Sequence, residues 1–244
     1  MKVEIWSDVA CPWCYVGKRR FESALNSFEH KSDVDVHWRS FELDPNAPPI
    51  RDGDPVQRLA DKYGMSRAQA VAANDRLTAM AAAEGLDYHL DTLRSGNTFD
   101  AHRLLHLAAD HGLQDALKER FLHGYFVDND PIGDHETLVR LAVDAGLDEP
   151  AVRGVLASDA YADAVRADEK QAGAYGISGV PFFVVDARYG VSGAQSAEIL
   201  LETLRRASAE ANPLVVVAGQ PSTAGSAGTA GSNADGCNGD SCAV

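Results

Sequence analysis

Cysteine is scarce here, with four residues in 244. They fall in two close pairs, Cys11 with Cys14 and Cys237 with Cys242. A structural staple usually joins distant segments, so pairs this close point to chemistry. Basic charge is also thin: 22 Lys and Arg against 36 Asp and Glu give a formal net charge of −14, and no Lys/Arg-rich run offsets it. Nucleic acid and anionic membrane surfaces both need clustered positive charge, so neither is expected as a partner. No apolar run approaches the roughly 18–20 residues that span a bilayer. A signal-peptide pattern is missing too, because Met1-Lys2 leads into Val3-Glu4-Ile5-Trp6 and Asp8 follows before an apolar segment forms. The expectation is a cytoplasmic protein. In that compartment cysteines tend to be catalytic, redox-sensing or metal-binding.

What is present suffices for a core. Hydrophobic residues make up 45% of the chain, and the length suits one large domain or one domain with a substantial insertion. Val3 to Trp6 reads as a short strand and Cys14 to about Phe28 as a helix, with Val16, Phe21, Leu25 and Phe28 mostly on one face. Val34 to Phe41 alternates Val34, Val36 and Trp38 with Asp35, His37 and Arg39, a strand at period two. From about Pro55 to Tyr175 strand signals give way to an Ala-rich helical pattern. Ser66 with Gln69 forms a capping box, and Gly85 closes the helix it opens. Thr98 is placed to cap a helix ending near Gly112, and Asp134 one ending near Gly146. Pro150 sits in the first turn of another, and a further helix runs to about Gly176. Pro181 to Asp186 has a buried-strand pattern, Tyr189 to Ser192 is its hairpin partner, and Ser196 caps a last helix ending near Ala211.

The order is β-α-β, a helical block, then β-β-α. This predicts an α/β fold with residues 1–54 and 176–212 as one domain, 55–175 as a helical insertion and 213–244 as a tail. The tail's Gly219 to Gly236 stretch, rich in Gly, Ala, Ser and Thr, has the composition of a flexible linker.

The chemistry concentrates at Cys11-Pro12-Trp13-Cys14, where a strand ends and a helix begins. Free N–H groups and the macrodipole at a helix N-terminus stabilise an anion, so a depressed pKa is expected at Cys11. Pro12 lacks an N–H and pre-sets φ for the first turn. Cys14, one turn on, is within reach of a mixed disulfide at Cys11. Cys11 is therefore read as nucleophile and Cys14 as resolving thiol. A buried cysteine pair or half of a zinc site is the competing reading.

Four segments resemble the DsbA family, in its FrnE-like branch. They are Ser7-Asp8-Val9-Ala10-Cys11-Pro12-Trp13-Cys14-Tyr15-Val16-Gly17, Asn97-Thr98-Phe99-Asp100-Ala101-His102-Arg103, Ile177-Ser178-Gly179-Val180-Pro181-Phe182-Phe183 and Val191-Ser192-Gly193-Ala194-Gln195. The resemblance spans residues 3 to about 210. It implies a thioredoxin fold with a helical insertion between its two halves, and disulfide exchange with no organic cofactor. It implies that Val180-Pro181 is a cis bond lying against the redox pair, that the proline ring blocks metal capture and that the Val180 backbone pairs with substrate. Periplasmic members carry His between the cysteines. Trp13 stands there in this chain, which implies a weaker oxidant.

The remaining signals are weaker. His102, His106 and His111 fall at i, i+4 and i+9, with no glutamate of a metalloprotease motif, and no metal site is assigned. His102 sits on a helix expected to face the redox pair. Asp8 is a proton acceptor for the thiols or a turn residue. Trp13 and Tyr15 form an apolar rim or pack internally. Cys237 and Cys242 are candidates for a redox relay to Cys11. Three functions compete: a cytoplasmic thiol–disulfide oxidoreductase acting on protein thiols, with glutathione or a thioredoxin system as electron partner; a glutathione-dependent transferase or isomerase of the kappa or 2-hydroxychromene-2-carboxylate isomerase type; and a zinc-binding or redox-sensing module.

Overall fold

Strand β1 (Lys2–Ser7) buries five of its six residues, because both faces of the sheet are covered. Side chains alternate across the pleat. Val3 and Ile5 face a cluster with Phe21, Phe28, Trp38, Phe183, Leu200 and Leu204. Trp6 faces the opposite layer, with Ala172, Ile177 and Val184. The computed structural model describes residues 1–211.

Helix α1 (Pro12–Asn26) follows β1, and β2 (Asp35–Ser40) returns parallel to it, pairing Ile5 with Trp38. Seven helices come next: α2 (Pro55–Tyr63), α3 (Arg67–Ala83), α4 (Phe99–Asp110), α5 (Gln114–Phe126), α6 (His135–Asp144), α7 (Glu149–Leu156) and α8 (Ala162–Ala174). Strands β3 (Phe182–Val185) and β4 (Tyr189–Ser192) then add on antiparallel, and α9 (Ala197–Ala211) packs beside α1 over the Val3/Ile5 face. Sheet order is β2-β1-β3-β4. This is the thioredoxin fold with a helical insertion between its β-α-β and β-β-α halves. Among the described residues no helix is long and apolar enough to cross a membrane.

Local signals set the helix ends. Ser66 and Gln69 form both bonds of the capping box. Asp134 accepts the Thr137 N–H at 2.8 Å, and Pro150 lies in the first turn of α7. The stops at Gly85 and Gly112 have φ of 77° and 69°, where glycine escapes the Cβ penalty. One expected cap differs: Thr98 makes no side-chain capping bond, and Asn97 Oδ1 accepts the Phe99 N–H at 2.8 Å instead. An Asn side chain reaches the N–H two residues on, which frees Thr98 from that role.

The insertion has its own apolar core, including Leu104, Leu117, Phe121, Phe126 and Leu138, and Tyr15 and Val16 of α1 join it. The first turn of α1 is thus clamped between sheet and insertion, and that clamp positions the cysteines.

Candidate active site

Cys11 is the N-cap of α1 and Pro12 its first residue. The preceding turn closes through Cys11 N–H to the Asp8 carbonyl at 3.3 Å, and Cys14 N–H reaches the Cys11 carbonyl at 3.0 Å. Tyr88, from the loop after α3, donates its hydroxyl to the Pro12 carbonyl at 2.7 Å and fixes the first turn from the insertion side. Both cysteines are free thiols; Cys11 is 3% exposed and Cys14 fully buried. Only Cys11 touches the surface.

Across from them, the Val180–Pro181 peptide is cis. The Cys11 thiol donates to the Val180 carbonyl at 3.4 Å. Gly17, one turn beyond Cys14, admits the proline ring, because a Cβ there would lie 2.9 Å from Pro181 Cγ. The fold therefore brings Cys11, Cys14, Val180 and Pro181 to one place, from segments about 170 residues apart.

A hydrogen bond to the Cys14 sulfur, then burial and the Cys14 charge, hold the proton on Cys11 well above the ordinary thiol range. Burial pushes Cys14 up as well. The hydrogen bond from Cys11, the Lys118 ammonium, the nearby Ser7 hydroxyl and the Asp8 backbone outweigh it and pull Cys14 down. The two sulfurs titrate as a unit that gives up its first proton readily and its second only at high pH. The helix terminus pointed to Cys11 as the depressed thiol; the folded pair shares its first proton, and the hydrogen bond from Cys11, followed by the Lys118 ammonium, draws the lowering toward Cys14.

Asp8 is buried behind the turn. Its carboxylate accepts the Leu43 N–H at 2.8 Å and the Ala10 N–H at 3.4 Å, and lies 3.3 Å from His102 Nε2. Burial raises its pKa, but the hydrogen bond and charge of His102 bring it below the ordinary value. Asp8 is thus at once the turn residue and an anion beside the thiols. His102 Nδ1 finds no partner among the described residues. His106 turns elsewhere, to Ser40 Oγ and Asp168, each at 3.1 Å, so the two histidines share no ligand position. Trp13 is 40% exposed beside Cys11. Tyr15 is no rim residue: it is fully buried and stacks on Tyr88 at 6.1 Å. Cys237 and Cys242 lie outside the described residues.

Sequence reasoning missed Tyr88, Leu43 and Lys118. Lys118 left a signal, since it interrupts the buried stripe Leu117, Phe121, Leu122, Tyr125 of α5.

Residues 2–205 match the DSBA-like thioredoxin domain family. The chain belongs to that family. Its fold matches a probable DsbA oxidoreductase from Streptomyces coelicolor, 52% identical, with a TM-score of 0.84, covering 93% of this chain and all of that one. The uncharacterized protein YwbO of Bacillus subtilis is 28% identical over 185 residues, 75% of this chain and 86% of that protein. The cytosolic disulfide reductase DsbM from Pseudomonas aeruginosa, solved with GSH, shares the fold at 14% identity and a TM-score of 0.57, covering 84% of this chain and 98% of that one. This DsbA-like chain thus falls within a family of thiol–disulfide oxidoreductases.

Proposed function

We propose that the protein exchanges disulfides with protein substrates through Cys11 and Cys14, in the cytoplasm, where a reducing pool keeps such a pair in the dithiol form. The observation that carries this reading is the juxtaposition of Cys11, the sulfur at the surface, with the Val180 carbonyl, while Cys14 is sealed beneath it. The proton shared between the sulfurs passes to Cys14 as substrate approaches. The Cys11 thiolate then attacks one sulfur of a substrate disulfide, forming a mixed disulfide and releasing a substrate thiolate. Cys14 attacks the Cys11 sulfur, the mixed disulfide breaks, and the second substrate thiol leaves. The substrate gains two electrons and the pair ends as the Cys11–Cys14 disulfide. External thiols return it to the dithiol.

Trp13 and Leu43, both about two-fifths exposed, offer apolar surface beside Cys11 and on the strap of residues 41–51 that follows β2 and holds Asp8 through the Leu43 N–H. That surface suits an unfolded or extended protein substrate. Glutathione is the reductant to test first, given the GSH held by DsbM on this fold. Insulin reduction tests the reading. The Cys11→Ser protein is expected to be inactive, and the Cys14→Ser protein to accumulate mixed disulfides. Normal turnover by the Cys11→Ser protein refutes the assignment.

A further inference from the structure

Lys118 occupies the apolar stripe of α5 and is fully buried. Its ammonium donates to one carbonyl, that of Ser7, at 3.4 Å, and lies 5.6 Å from the centroid of the Trp38 ring. Lys18 stands over the same ring at 6.0 Å, but Glu22, Asp115 and Glu119 surround it. Lys118 has no such carboxylate ion pair among the described residues. A buried ammonium costs several kcal/mol unless negative charge lies near it.

The Ser7 carbonyl places it at the end of β1, and the charges that act on it are Cys14 and Lys18 from α1, Cys11 at the helix cap and Asp8 from the turn after β1. Asp8, held by His102 and the Leu43 N–H, keeps its charge in either redox state. The Cys14 sulfur is the charge that appears only when the disulfide is reduced.

We infer that Lys118 is a positioning residue of the redox pair: its ammonium is the counter-charge of the Cys14 thiolate, and it takes up a proton when the disulfide is reduced and releases it when the disulfide forms. This rests on the reading of Cys11 and Cys14 as a redox couple and adds the fate of the proton. Reduction by an external dithiol breaks the Cys11–Cys14 bond, converts that dithiol to its own disulfide and delivers two electrons and two protons. One proton stays on the Cys11 sulfur and the other goes to the Lys118 amine, while the Cys14 sulfur keeps the negative charge. A neutral disulfide and a neutral amine become a thiol, a thiolate and an ammonium, so charge balances.

Burial pulls Lys118 down to about 8, against the charges of Cys14, Asp8 and Cys11, which raise it. Oxidation removes the Cys14 charge and lowers it further. The amine therefore exchanges its proton near neutral pH, where an ordinary lysine does not. The helical insertion thereby supplies an electrostatic element that the β-α-β half lacks.

The test uses the full chain with 13C-labelled lysine, assigning Lys118 Cε by its loss in Lys118→Met. The Cε resonance is followed against pH in the dithiol and disulfide forms. Its midpoint is expected about one pH unit lower in the disulfide form, and equal midpoints overturn the inference. In glutathione buffers at pH 7, Lys118→Met should shift the dithiol–disulfide ratio about tenfold toward the disulfide, about 30 mV. An unchanged ratio overturns it as well. Should the Met protein not fold, the signal that titrates differently between the two forms of the natural chain carries the test. Failure of the natural chain to form a Cys11–Cys14 disulfide in any glutathione buffer instead refutes the redox reading itself.

Discussion

Gly17 and Pro181 meet with no room for a side chain between them: a Cβ on Gly17 would lie 2.9 Å from Pro181 Cγ and 3.5 Å from the Phe183 ring. The glycine is in the middle of α1, where it costs about 0.5–1 kcal/mol relative to Ala. Its position is explained by the proline it admits. Gly17→Ala is expected to push α1 away from Pro181 and to widen the gap between Cys11 and the Val180 carbonyl. Overpacking of this size costs typically 1–3 kcal/mol. Urea unfolding and insulin reduction check it, and a variant that keeps wild-type stability and rate contradicts the close fit.

Asp8 carries a second expectation. Its folded-state pKa is depressed, so the stability it contributes is complete above the ordinary carboxyl range and is lost as pH falls through the lower folded-state value. Asp8→Asn keeps the shape and removes the charge. It should cost about 1–3 kcal/mol at pH 7, since hydrogen bonds to a charged group are the stronger kind. The deficit should shrink below pH 4. Urea unfolding at pH 7 and pH 3.5 separates this from a packing defect, which would cost the same at both.

Much of this was legible in the sequence, and the division follows range. The capping box at Ser66, the Asp134 cap and the stops at Gly85 and Gly112 are decided by bonds and φ angles within four residues, so they read directly. Strand-CPWC-helix reads for the same reason. The Asp8–His102 contact joins residues 94 apart, and Lys118 meets Ser7 across 111. Such pairings depend on how the insertion folds back on the sheet, which no local pattern encodes. The charge at the redox pair divides in the same way: the helix terminus beside Cys11 is a local feature, whereas Lys118, which also acts on Cys14, arrives through tertiary packing.

The strap after β2 gives a stability prediction that depends on space rather than conformation. A Cβ on Gly133 would lie 1.8 Å from the Pro49 carbonyl oxygen, and one on Gly96 2.0 Å from it. The strap is tied down beside them by Asn97 N–H to the Pro48 carbonyl at 2.9 Å and Arg51 N–H to the Ser95 carbonyl at 2.8 Å. The obstacle is backbone, so it cannot rotate aside. Gly133→Ala should lower stability by roughly 2–4 kcal/mol. Gly154, inside α7 with nothing within 4 Å of a Cβ, is the control: Gly154→Ala should be neutral or stabilise by about 0.5–1 kcal/mol. Equal effects at the two sites, by thermal or urea unfolding, would falsify the packing account of the strap.

Glu42 gives the pH dependence at the opposite sign. Its side chain is buried, with one oxygen on Arg166 at 2.6 Å and the other, Oε1, without a partner among the described residues. Burial raises its pKa, the Glu169 charge adds to this, and the Arg166 bond opposes without cancelling, leaving it at about 7. A pKa raised on folding means that the fold prefers the protonated acid. The stability this gives is complete below the ordinary carboxyl value and is lost as pH rises through about 7. Glu42→Gln mimics the protonated form at every pH. Relative to wild type it should be close to neutral at pH 5 and stabilising at pH 8 by about 1–2 kcal/mol, after discounting the lost Arg166 ion pair. For a chain of this size that is a Tm rise of roughly 2–8 °C. Melting curves of both proteins at pH 5 and pH 8 decide it. A wild-type Tm that does not fall relative to the variant between those pH values would mean that Glu42 is ionised in the fold throughout, with Arg166 and not burial setting its charge.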